Sequence, residues 1–84
     1  MAFNVVIVTP EQQVLDETVT QAILPAHDGE IGILTGHAPM MTLLGKGTLR
    51  LGAGGGTQRF AVEGGFLQVV DNQVRVVTDR AAVA

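Results

Sequence analysis

The chain has 84 residues, is 46% apolar, and carries five basic against eight acidic residues for a formal net charge of −3; that length suits one small domain rather than two. The basic residues Lys46, Arg50, Arg59, Arg75 and Arg80 form no run, which argues against the basic stripe of a nucleic-acid partner. Cysteine is absent, which excludes disulfides and thiolate chemistry and fits a reducing compartment.

In chain order, Phe3 to Val8 reads as a strand, with Phe3, Val5 and Ile7 on one face and Asn4, Val6 and Val8 on the other. Thr9-Pro10-Glu11 ends it, because proline cannot donate to a ladder. Gln12 to Asp16 suggests a short strand around Val14. Thr18 to Leu24 suggests a stronger one, with Val19 and Ile23 inward and Pro25 as its stop. Leu24 to Pro39 gathers three glycines, two prolines and both histidines around Ile31, Ile33 and Leu34. Proline removes a backbone donor and glycine costs about 1 kcal/mol against alanine in a helix. This stretch therefore reads as a packed loop system with a very short strand at Glu30 to Leu34.

Met40 to Leu44 reads as a strand, since a helix stopped by Gly45 and Gly47 falls below the roughly 12 residues of marginal stability. Thr48 to Leu51 places Leu49 and Leu51 inward, and Thr57 to Val62 returns with Phe60 and Val62 on one face. Gly52 to Gly56 reads as a flexible hairpin end between them, which brings Arg50 and Arg59 near each other. Their like charge favours solvent or an acidic partner. Glu63-Gly64-Gly65 is a tight turn, and Phe66 to Thr78 reads as a hairpin around Asp71-Asn72, where asparagine tolerates positive φ. Asp79 to Ala84 is expected to be a frayed tail. Eight to ten short antiparallel strands and no helix predict an all-β fold in one domain over residues 1–84, a flattened two-sheet sandwich or barrel. No apolar run reaches the roughly 20 residues of a membrane helix, and the N-terminus lacks the basic and apolar regions of a signal peptide.

Several of these segments together resemble one family. Thr9-Pro10-Glu11, Leu24-Pro25, Asp28-Gly29-Glu30-Ile31-Gly32-Ile33-Leu34, Gly36-His37-Ala38-Pro39, Leu44, Gly47, Glu63-Gly64-Gly65-Phe66, Val69, Asn72 and Val74 are similar to the N-terminal domain of the epsilon subunit of F-type ATP synthase. The likeness runs from about Phe3 to Asp79. Ala26 departs from it where the family often has glycine, which implies that this position does not need positive φ. The family's usual subunit continues into a two-helix hairpin, to which inhibition of ATP hydrolysis, and ATP binding in some members, is assigned. Neither property is carried to these residues.

The resemblance implies a non-catalytic rotor part, with no cofactor or metal, that binds the gamma subunit and the ring of c subunits. It implies a peripheral location, without membrane insertion, on the cytoplasmic face of a bacterial inner membrane, or at a thylakoid or mitochondrial inner membrane in an organelle. By position it makes Asp28, Gly29, Glu30 and His37 candidates for the c-ring surface. Thr9, Met40, Met41 and Thr42 become candidates for the gamma surface.

The residues on their own leave other readings open. Asp28 and Glu30 on a rigid turn can register a basic partner or simply be solvated. His37 is suited to capping its turn by hydrogen bonding to a carbonyl. His27, Asp28, Glu30 and His37 carry donor atoms that zinc could use, but at no compact ligand spacing. Strand alternation turns only one of Met40 and Met41 inward, leaving the other exposed or covered by a partner. No serine exists to serve as a nucleophile, and no P-loop lysine follows the glycines. A generic β-sandwich module for a peptide or ligand is the alternative function, since such folds serve many purposes.

Overall fold

A computed structural model of the chain describes residues 2–53 and 56–84. Ten strands form: β1 (Phe3–Val8), β2 (Gln13–Val19), β3 (Gln21–Ala26), β4 (Gly29–Leu34), β5 (Met40–Leu43), β6 (Lys46–Ala53), β7 (Gly56–Glu63), β8 (Phe66–Val70), β9 (Gln73–Val77) and β10 (Arg80–Val83). They divide into a sheet A of order β2-β1-β9-β8-β5 and a sheet B of order β10-β7-β6-β3-β4. The expected all-β sandwich is thereby borne out. Within it, one neighbouring pair, β1 and β9, runs parallel. Of the glycine run read as a hairpin end, Gly54 and Gly55 lie outside the described residues.

Alternation decides which side chains enter the space between the sheets. Phe3, Val5 and Ile7 of β1, Leu49 and Leu51 of β6, Phe60 and Val62 of β7, Leu67 and Val69 of β8, and Val74 and Val76 of β9 are all buried there. Short branched side chains fill most of this core, in keeping with a chain that has no Trp or Tyr. The β8–β9 turn is made by Asp71 (φ 48°) and Asn72 (φ 60°), the two positive-φ residues of a tight two-residue hairpin turn.

The segment Thr18 to Leu24, expected to be one strand, instead turns a corner. Sheet A ends at Val19 and sheet B begins at Gln21. Thr20 is pinned between them, its amide donating to Gly52 O at 2.8 Å and its hydroxyl to the same oxygen at 3.0 Å. The corner resets the alternation, so Ala22 and Leu24 are buried rather than Ile23. Nor does Pro25 end β3. The β3–β6 ladder covers only Gln21 to Ile23, so the missing proline N–H interrupts no bond on that side.

The tail expected to fray is also ordered. Arg80 to Val83 pair antiparallel with Glu63 to Phe60 of β7, and Ala84 N donates to Arg59 O at 3.0 Å. Its small side chains gave little apolar signal, and its order comes from the neighbouring ladder.

Two close approaches hold the sheets together at one end. Gly65, at φ 95°, leaves no room for a side chain: a Cβ there would lie 1.9 Å from Val77 O. Thr78 is buried. Its amide donates to Val8 O at 3.0 Å, and its Oγ1 accepts from Glu63 N at 3.3 Å. The same hydroxyl lies 3.1 Å from the carbonyl oxygens of Glu63 and Arg80 and donates to one at a time.

Candidate functional interfaces

The expected c-ring residues occupy the two ends of one edge strand. β4 pairs only with β3; His27 and Asp28 form the tip of that hairpin, and Gly29, at φ 132°, opens β4 opposite Ala26. Three links fasten the tip to the end of β5 and the start of β6. His27 N donates to Leu43 O at 3.0 Å, Gly45 N donates to Pro25 O at 2.7 Å, and Ala26 bridges Leu44. The tip is thus a rigid, exposed turn. Glu30, the second residue of β4, is held by Arg50, whose Nη2 lies 3.1 Å and 3.0 Å from the two carboxylate oxygens.

His37 lies beyond the other end of β4, in the loop to β5. Gly36 N donates to Asn72 Oδ1 at 2.7 Å and His37 N to Leu34 O at 3.1 Å. The His37 ring is half-buried, and its Nδ1 donates to Ala38 O at 2.8 Å, the carbonyl contact anticipated for it. A strand of six residues spans roughly 17 Å, so His37 is far from Asp28 and from His27. Among the described residues no group of three or more His, Cys, Asp or Glu could hold a metal ion.

The expected gamma residues border one face. In β5, Met40 packs against the core, Thr42 is half-buried, and Met41 and Leu43 are 64% and 61% exposed on the outer side of sheet A. Register carries this surface across the sheet. Leu43 faces Phe66, Phe66 faces Val77, and Val77 faces Val8. Four apolar side chains thus form a row of roughly 14 Å from β5 to β1. Met41 and the exposed Val70 extend it. Thr9 follows Val8 at the far corner. Its amide donates to Gln12 O at 2.9 Å and its hydroxyl to the same oxygen at 3.1 Å.

The expected gamma residues mark the β5 end and the Thr9 corner of this row but do not include Leu43, Phe66, Val77 or Val70. The available signal was apolar residues on both faces of strands: FNVVIV had shown it for β1, and FLQVV and the final Val77 repeat it.

No helix among the described residues is long and apolar enough to cross a membrane. Residues 2–84 match the family model described as ATP synthase, Delta/Epsilon chain, beta-sandwich domain. The chain is 44% identical over 81 residues to the ATP synthase epsilon chain of Synechococcus sp. (strain JA-2-3B'a(2-13)), covering 96% of this chain and 59% of that one. It is 47% identical over 81 residues to the ATP synthase epsilon chain of Rhodopirellula baltica, covering 96% of this chain and 63% of that one. A chain in the cryo-EM structure of the Euglena gracilis mitochondrial ATP synthase, OSCP/F1/c-ring, superposes with a TM-score of 0.92 at 26% identity, over 98% of this chain and 53% of that one. The chain therefore spans about six-tenths of the length of these curated relatives.

Proposed function

The chain belongs to the ATP synthase Delta/Epsilon chain family, as an epsilon-type β-sandwich domain, and from that premise we propose that it serves as a non-catalytic central-stalk part of an F-type ATP synthase. In this role it binds the gamma subunit and the c-ring and helps couple proton-driven rotation to ATP synthesis. It sits peripherally at the membrane through the complex, on the cytoplasmic face in a bacterium.

The observation that carries the reading is the apolar row Leu43, Phe66, Val77 and Val8 on the outer face of sheet A. Leu43 is exposed and Phe66, Val77 and Val8 are half-buried; a partly exposed apolar patch on a small domain marks a protein interface, and Met41 supplies a flexible side chain that can repack against a partner. Gamma covers this face, with Met40, Met41 and Thr42 at one border and Thr9 at the other. The c-ring loops meet the β4 edge, where Asp28, Gly29 and Glu30 sit at one end and His37 at the other. Glu30 keeps acceptor capacity beyond its Arg50 contact, since an ionised carboxylate offers about four lone-pair sites.

Cross-linking tests both contacts directly. The chain has no cysteine, so Met41→Cys or Asp28→Cys supplies its only thiol. In the assembled complex, a short thiol-directed linker on Met41→Cys is expected to capture gamma, and one on Asp28→Cys a c subunit. Capture of neither, with the complex intact, would overturn the assignment.

A further inference from the structure

The outer face of sheet B has a different chemistry. Leu49, Leu51, Phe60, Val62 and Ile33 point into the core, so alternation turns Lys46, Arg50, Arg59, Glu63 and Glu30 outward. In β10, Ala81 packs against the core and Arg80 is exposed. Four of the five basic residues in the chain therefore share one face, against two carboxylates. That face has a surplus of two positive charges, whereas the whole chain is −3.

Register places the charges. Lys46 and Arg80 flank Glu63 on neighbouring strands. Arg50 and Arg59 stand directly opposite one another. Opposed side chains have Cβ atoms roughly 5 Å apart, and like charges there are mutually repulsive. Arg50 is anchored by Glu30, the only ion pair among the described residues, while its Nε is shielded from water without a hydrogen-bond acceptor. Arg59 is exposed. Between them lies a shallow pocket of about 210 Å³, bordered by Gln21, Ile23 and Thr57.

We propose that this face binds a carboxylate-rich, extended polypeptide segment, with the Arg50–Arg59 pair as its centre. A carboxylate seated between the guanidiniums relieves their repulsion, and the planar fork of arginine matches its geometry. The hydroxyl of Thr57 and the amide of Gln21 supply neutral donors at the rim. A polypeptide fits better than a single small anion because the cations are spread over three adjacent strands and the pocket is open rather than enclosed. Electrostatic attraction to such a partner weakens with salt. The inference does not rest on the gamma assignment and shares with the c-ring edge only Glu30, which anchors Arg50.

The test titrates the isotopically labelled chain with a hexaglutamate peptide at low ionic strength and reads backbone amide shifts. Saturable shifts confined to residues 46–52, 57–63 and 80–83 are expected, weakened at least tenfold by Arg59→Glu and about threefold by Arg59→Gln. Arg59 is exposed, and unchanged core amide shifts in the variants verify the fold. Inorganic phosphate is titrated in parallel. Shifts scattered over the surface, or unaffected by Arg59→Glu, would overturn the proposal. So would saturation by phosphate at concentrations equal to or below those of the peptide, which would indicate a single-ion site.

Discussion

The two outer faces of the sandwich are built by the same alternation and end up with opposite chemistry. Beside the polar Gln68, Arg75 and Asn4, sheet A presents the row Val8, Val77, Phe66 and Leu43 with Met41, a surface that gains by losing water. Sheet B presents Lys46, Arg50, Arg59 and Arg80, a surface that keeps its water until a countercharge arrives. A domain needs only one buried face per sheet to fold, so the outer faces are free to specialise. The apolar face suits a permanent partner and the charged face an exchangeable one.

Breaking the common scaffold should abolish both faces at once. Gly65→Ala puts a methyl group 1.9 Å from Val77 O at a positive φ, so a loss of more than about 4 kcal/mol is expected, and the chain should no longer show a cooperative unfolding transition. Thr78→Val is milder. It keeps the shape but leaves Glu63 N and two carbonyls without the hydroxyl, and a loss of about 1–3 kcal/mol should appear in urea unfolding. Both outcomes would show that the connection at this end holds the sheets in register.

Face-specific changes should separate the two surfaces. Leu43→Asp alters an exposed side chain, so stability should move by no more than about 0.5 kcal/mol. Its expected effect is on gamma affinity, at least tenfold weaker by calorimetry. The smallest effect belongs to Glu30→Gln. The Glu30–Arg50 pair is largely exposed, with 59% and 39% of the respective side-chain surfaces accessible, and such pairs contribute about 0.2–1 kcal/mol. The difference from the parent chain should shrink in molar salt.

Much of the fold was legible because alternation is a local signal. The inward sets of β1, β6 and β7 and the Asp71-Asn72 turn follow from a few residues each. The corner at Thr20 was hidden because no glycine or proline marks it. Its geometry comes from two bonds to Gly52, 32 residues away. β10 was hidden because Arg-Ala-Ala-Val has little strand character without β7 beside it. The interfaces were legible only in fragments. Residues 28–37 are contiguous in sequence, yet β4 carries the tip and His37 apart. The apolar row joins residues from four strands that only the register brings together. The opposition of Arg50 and Arg59, by contrast, followed from one hairpin and was readable.

The most direct test of the central assignment is titration of cognate gamma subunit by calorimetry with the parent chain, Met41→Asp/Leu43→Asp and Arg59→Glu. One-to-one saturable binding, lost in the sheet A variant and retained in the sheet B variant, is the predicted result. Equal affinity for the parent chain and Met41→Asp/Leu43→Asp would contradict it and remove gamma from the outer face of sheet A.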